Sequence, residues 1–320
     1  MSSAKTVALI GAGDVAKFFV EELVAANRNV LVISRAPRPW FADRTDITFL
    51  TSDYSSSSFT EIFDAHNVDV AFCFIHDNTK FYVDVHEAIL DACRKSRTCK
   101  RFVPSEYDGD IEEGDGGHWD KPRFHLKTHV PFRETLTSQS QLEDGERVEY
   151  TLLCHGWFMD YILPSHKTYM KDIYPVWPVD VNGGSDEVVV AGTGEESVGL
   201  TAARDVARVG VALVGMPKGF WSEKTYVCGE YTTWNRLIAQ LSSYYNRTFN
   251  PTYTPLSTIQ AAIEDPDIPE EDKAFVYMQE WNASGASAPP REKLWDAGRW
   301  GVRVRSVAQL LEDGRKDGIV

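Results

Sequence analysis

Gly11-Ala12-Gly13-Asp14-Val15-Ala16 follows the apolar run Thr6–Ile10 and opens a stretch of helical spacing. A glycine at the first position allows a tight turn. A glycine at the third lets a pyrophosphate reach the unpaired amides of a helix start, and a small sixth residue lets that helix pack closely on the strand. With a strand before it, a helix after it and another strand within about 30 residues, the pattern reads as a dinucleotide loop rather than an ordinary turn. Gly11, Gly13, Asp14 and Val15 are the candidate contacts.

The end of the second strand-like run should set the flavour of that dinucleotide. An NAD site usually offers a carboxylate to the ribose there. This chain offers Val32-Ile33-Ser34-Arg35, with Arg38 close behind. An arginine fork can hold a 2'-phosphate through two parallel hydrogen bonds, so the expected cofactor is NADP(H); ordinary solvated loop arginines are the alternative. Asp53, after the third strand, is assigned to the adenine side, with an exposed turn aspartate as the alternative. Ile75, at the end of the fourth strand, is placed along the cofactor.

The elements that would carry these residues alternate. Asp14–Ala26 has Val15, Phe18, Phe19 and Leu23 at helical spacing, with Lys17, Glu21 and Glu22 opposite. Asn29–Ser34, Ile47–Leu50, Val68–Ile75 and Arg101–Pro104 read as strands, and Phe59–Ala65 and Val83–Ala92 as helices. Strand and helix in alternation predict a doubly wound parallel sheet of Rossmann type. Asp108–Asp120 reads as an acidic loop, solvated or a mobile lid, Phe124–Leu136 as helical and Tyr150–Cys154 as a sixth strand. Beyond Tyr161 the pattern breaks around Pro164, Pro175 and Pro178, and Glu187–Thr201 reads as a hairpin. The expected division is a dinucleotide domain over residues 1–160, with a return segment near 200–215, and a smaller α+β substrate lobe over 161–320.

Composition narrows the class. Lys and Arg total 33 against 47 Asp and Glu, a net charge of −14, which argues against a nucleic-acid partner. No run approaches the roughly 20 apolar residues of a membrane span, and Met1–Lys5 lacks the features of a secretory leader. Cytoplasmic localisation is the expectation. The five scattered cysteines form no CxxC pair and read as reduced thiols, so no metal site is expected.

Four further segments narrow the reading: Lys100-Arg101-Phe102-Val103-Pro104-Ser105-Glu106-Tyr107, Phe124-His125-Leu126-Lys127, Gly156-Trp157-Phe158-Met159-Asp160-Tyr161 and Asp205-Val206-Ala207. In this order after the glycine loop, the chain resembles the NmrA-like and isoflavone-reductase-like families of atypical short-chain dehydrogenases. The resemblance is good as far as the last of these segments and loose beyond it. It implies an NADP(H)-dependent oxidoreductase, monomer or homodimer, acting on a small aromatic or heterocyclic metabolite. It matches Lys127 to the family's central lysine, a proton donor or oxyanion stabiliser that also holds a ribose hydroxyl. Four residues before it stands Arg123 and not the tyrosine of classical short-chain dehydrogenases.

Ser105 and Glu106 are assigned to the nicotinamide side, with membership of the acidic loop that follows as the alternative for Glu106. Tyr107, His125, His155, Trp157, Phe158 and Tyr161 are assigned to the substrate pocket, the two histidines as candidate proton donors or else packed structural rings. Two other functions use the same residues: a redox sensor that binds the dinucleotide without turnover, and an isomerase or cyclase.

Overall fold

A computed structural model describes residues 4–114, 117–118, 123–143 and 145–320, with Gly114, Gly117, His118, Phe124 and Glu271 described by backbone alone. Residues 115, 116, 119 and 120 of the acidic loop, and the Phe124 side chain of the lysine motif, lie outside the described residues.

The alternation is present. It runs β1 (Thr6–Ile10), α1 (Asp14–Ala25), β2 (Asn29–Ser34), the one-turn α2 (Pro39–Ala42), β3 (Thr48–Thr51), α3 (Ser56–Ala65), β4 (Val70–Cys73), α4 (Lys80–Lys95) and β5 (Arg101–Val103). The two-residue strands β6 (Glu113–Gly114) and β7 (Gly117–His118) form a small hairpin, and α5 (His129–Ser138) follows. Then β8 (Glu149–Tyr150) completes a six-stranded sheet of order β3-β2-β1-β4-β5-β8, parallel throughout. This is the predicted Rossmann-type sheet.

Alternate side chains of these strands go to opposite faces, which is why the runs are apolar without a break. Val7, Leu9, Val32, Val70 and Phe72 join the core under α1. Ala8, Ile10, Ile33, Ala71 and Cys73 join a second core with Phe59, Phe63, Tyr82, Ile89 and Phe132 of α3, α4 and α5. Helix α6 (Ala203–Gly215) lies against α1, where Gly210 lets Phe19 approach so closely that a Cβ would sit 2.4 Å from Cε1. Arg204 of α6 reaches Glu21 at 2.8 Å and Glu22 at 3.1 Å.

The rest of the chain forms small sheets around a tryptophan-rich core. β10 (Trp157–Phe158), β12 (Val198–Thr201) and β14 (Glu230–Thr232) make one sheet, and β11 (Glu187–Ala191) pairs with β15 (Asn250–Thr254). Helices α7 (Trp234–Tyr245), α8 (Leu256–Glu264), α9 (Ala274–Ala283) and α10 (Val307–Asp313) cover them. Trp157, Trp177, Trp234 and Trp281 pack edge to face, with centroids 5.0–5.9 Å apart.

Three expectations are corrected. Tyr150–Cys154 is not one strand: β8 ends at Tyr150, and β9 (Leu152–Cys154) turns away to pair with β13 (Lys224–Tyr226). The two strands of Glu187–Thr201 do not form a hairpin. β11 bonds in parallel to β15, and β12 in parallel to β10 and antiparallel to β14, while the Glu196 carboxylate takes the amides of Thr193 and Gly194 in the turn between them. The acidic loop is not wholly solvated, since Asp110 and Ile111 are fully buried.

Candidate active site

A cavity of about 710 Å³ opens where β1, β2, β4 and β5 end and the second half of the chain folds over them. This is the seam between β1 and β4, where strand order reverses and an open parallel sheet leaves a crevice. Ala12, Gly13, Asp14 and Val15 line one end; Tyr107, Trp157, Phe158, Tyr161 and Trp281 line the other.

At the first end the glycines act as their spacing predicts. Gly11 has φ +103°, donates its N–H to the Ile33 carbonyl at 2.9 Å, and would bring a Cβ within 3.2 Å of Ile75. Gly13 is the N-cap of α1 without a side-chain cap, and a Cβ there would meet nothing within 4 Å. The first amides of α1 therefore face an open cradle at the positive end of a helix, a place suited to phosphate oxygens. Asp14 sits beside it, bonded to Lys17 Nζ at 3.0 Å and to the Lys171 amide at 3.3 Å.

The other proposed cofactor residues divide. Arg38 and Ser105 line the cavity. Arg35 stands outside the lining, its guanidinium 4.9 Å from the Phe81 ring centroid and 5.7 Å from that of Tyr54. Asp53 accepts the Ser55 amide at 2.9 Å, a local turn bond that holds its carboxyl below the usual range. Ile75 backs Gly11 without reaching the cavity wall.

Glu106 points into the core. Arg133 donates to its Oε2 at 2.6 Å and to Asp110 Oδ1 at 2.7 Å; Lys224 at 2.7 Å and Tyr226 at 2.5 Å both bond Asp110 Oδ2. Glu106, Asp110 and Arg133 are almost wholly buried. Burial raises the Glu106 carboxyl despite its partner, whereas the surrounding cations hold Asp110 low.

Among the pocket assignments, Tyr107, Trp157, Phe158 and Tyr161 line the cavity, and His125 and His155 stand behind its wall. His155 packs 4.3 Å from Phe158, and burial pushes its pKa down to about 4. Gly156, at φ +75°, runs so close to the Gly199 carbonyl that a Cβ would lie 2.3 Å away, which turns Trp157 toward the cavity.

Lys127 is elsewhere. Its side chain is 69% exposed and its Nζ lies 3.1 Å from Glu270. The tight turn from Arg123 into α5 carries His125, Thr128 and His129 inward and Leu126 and Lys127 outward. The inward position two residues on belongs to His129, on the cavity wall.

Sequence reasoning also missed His76, Asp108, Lys171 and Met278 in the lining. His76 and Asp108 could have been found from their places after strand ends; Lys171 and Met278 carry no local signal.

One supporting contact dictates a protonation state. His86 Nδ1 donates to the Tyr82 carbonyl at 2.7 Å, and its Nε2 accepts the Ser105 amide at 3.0 Å. A second ring proton would face that amide, and burial pushes the pKa to about 3. His86 thereby fixes the loop that presents Ser105.

Fold and cavity together define a Rossmann-type protein with an open helix start leading to an aromatic chamber. The chain belongs to the NmrA-like family, whose sequence profile matches residues 3–296. Oxidoreductase swnR of Arthroderma benhamiae is 35% identical over 75% of this chain and 73% of its own length. Among solved structures, a crystal structure of isoflavone reductase aligns with TM-score 0.72 at 16% identity, over 97% of this chain and 99% of that one. The binary complex of leucoanthocyanidin reductase and NADPH from Vitis vinifera aligns with TM-score 0.68 at 14% identity, over 97% and 99%.

Two outcomes follow. Arg133→Met leaves two buried carboxylates with less compensation and is expected to cost about 3–5 kcal/mol in urea unfolding at neutral pH; a loss under about 1 kcal/mol would remove the network from its structural role. Acidification is expected to weaken the fold through His86 and His155. Above pH 6.5 both rings are neutral folded or unfolded, and their contribution is complete. Below it the unfolded chain binds protons that the folded chain refuses, so stability falls by up to about 1.4 kcal/mol per pH unit per ring. Urea midpoints that stay constant from pH 7 down to 4 would contradict this.

Proposed function

We propose that this chain is an NADPH-dependent reductase of a small, flat aromatic or heterocyclic compound. The observation that carries the reading is one continuous cavity running from the Gly13 cradle, past Arg38, to the rings of Tyr107, Trp157 and Trp281. The oxidoreductase relatives and the NADPH held by a similarly folded reductase support it.

The bound dinucleotide supplies a hydride. The residues of this chain do the rest. The α1 amides take the pyrophosphate, Arg38 meets the 2'-phosphate and Ser105 borders the nicotinamide side. The aromatic walls hold a flat substrate and exclude water. Lys127 remains a proposed participant through its motif, and in this conformation it would have to leave Glu270 to reach the cavity. That outward position is also what favours a second reading, a dinucleotide sensor without turnover.

Titration with NADPH and NADH, followed by energy transfer from tryptophan to nicotinamide, tests the reading. NADPH is expected to bind much more tightly than NADH. Arg38→Ala should weaken NADPH by roughly 10- to 100-fold, the worth of a charged hydrogen-bonded pair, and leave NADH unchanged. Failure of both nucleotides to bind overturns the proposal. Lys127→Ala is expected to keep NADPH affinity. NADPH consumption over a panel of aromatic carbonyl and imine compounds then decides its role: a lost rate keeps it in the chemistry, and an unchanged rate removes it. A wild-type protein that binds NADPH and consumes none with any compound supports the sensor.

A further inference from the structure

Five of the chain's eight histidines gather at one end of this cavity. His76 and His129 line it, and His86, His125 and His155 stand directly behind. Among the described residues, no group of His, Cys, Asp and Glu could hold a metal ion.

Two of the rings touch through like atoms. Nδ1 of His125 and Nδ1 of His129 are 3.0 Å apart. Two bare nitrogens would repel at that distance, and so would two N–H groups, so the pair shares a single proton between the two atoms. His129 is held in place by stacking on Tyr82 at 4.4 Å and by Thr128 Oγ1, 2.9 Å from the same Nδ1. Its remaining nitrogen is Nε2, on a residue of the cavity wall. At the other end, His125 Nε2 lies 3.5 Å from Asp108 Oδ2. Asp108 lines the cavity and its side chain is 26% exposed, so water reaches the carboxylate. The line runs from solvent to carboxylate, to an inner imidazole, to an outer imidazole and back into the cavity.

We propose that Asp108, His125 and His129 form a proton relay, with His129 handing the proton to the substrate. This rests on the reductase reading above. The substrate carbon gains the hydride, and the adjacent oxygen or nitrogen takes the proton from His129 Nε2 as the carbon–heteroatom π bond breaks. The proton on His125 Nδ1 moves to His129 Nδ1, and the buried His125 Nε2 is refilled through Asp108, which recovers a proton from water. As product leaves, cavity water returns a proton to His129 Nε2 and the other two move back along the line to Asp108 and solvent, which restores the starting tautomers. One hydride and one solvent proton are consumed, and both rings remain neutral. Burial above all, with His125, His76, Arg133 and His86 close by, holds His129 in that neutral form. The relay selects the substrate class: a carbonyl or imine, whose heteroatom needs a proton, and not an isolated carbon–carbon double bond.

The test is nitrogen-15 NMR of histidine-labelled protein with NADP⁺ bound, read through long-range proton–nitrogen couplings. Opposite tautomers are expected for the two rings, one protonated at Nδ1 and the other at Nε2. Asp108→Asn should shift both rings, although it touches only His125. Like tautomers, or a response confined to His125, overturn the relay. With 9,10-phenanthrenequinone as a flat dicarbonyl probe, His129→Gln should slow NADPH oxidation by about 100-fold or more with NADPH affinity kept; a rate equal to wild type overturns it. Complementary tautomers in a protein that binds no NADP⁺ would leave the shared-proton pair standing and refute the reductase reading, and with it the transfer to substrate.

Discussion

Arg133 holds the cavity end of this molecule together. From α5 it grips Glu106 with one edge of its guanidinium and Asp110 with the other, and Asp110 in turn takes Lys224 and Tyr226 from β13. All but the neutral Tyr226 hydroxyl are charged, they are mostly buried, and an ion pair buried this way depends on both partners. The backbone between Glu106 and Asp110 is thereby stretched over a fixed span, and that span carries Tyr107 and Asp108. An aromatic wall and a carboxylate of the cavity owe their positions to ion pairs that do not touch it.

The second half of the chain is attached by the same device on the opposite face of the sheet. Asp160, in the aromatic segment after β10, accepts the Ala203 amide at 2.6 Å and supplies the cap that α6 lacks. Asp205, in the first turn of α6, takes Arg305 through both its amide, at 2.7 Å, and its guanidinium. Buried carboxylates thus decide where α6 begins and where the C-terminal segment docks. The tryptophan core then fills behind Trp157, whose indole N–H donates to Asn282 at 2.9 Å. With Trp157 fixed on one side and Tyr107 on the other, the chamber between them has rigid walls.

Much of the sheet was legible. An apolar run followed by Gly11 and Gly13 and then an amphipathic helix is local information, because glycine conformation, helix starts and alternation of faces depend on neighbours in sequence. Arg38, Ser105, Tyr107, Trp157, Phe158 and Tyr161 were found the same way, each close to a strand end or in a short aromatic run. Errors arose where local pattern is ambiguous. Glu187–Thr201 has strand propensity on both sides of a glycine turn, yet each strand found a better partner far away in sequence, Asn250–Thr254 for one and Trp157–Phe158 for the other. Glu106 and Arg35 are near the site in sequence, and what residue type does not give is their packing: Glu106 against Arg133, and Arg35 over the rings of Tyr54 and Phe81.

The sequence by itself determined the family, the parallel sheet and the glycine turn that opens α1, because these rest on backbone conformation and on the periodicity of burial. Tertiary structure decided which side chains face the chamber. Lys127 and His129 are two residues apart, and on a tight turn entering a helix that separation is enough to put one in solvent and the other in the wall. Nothing in the residue types predicts which way the turn rolls. Tyr82, packed against His129, and Arg133, drawn in by Glu106 and Asp110, set its rotation, and those partners come from other elements of the fold.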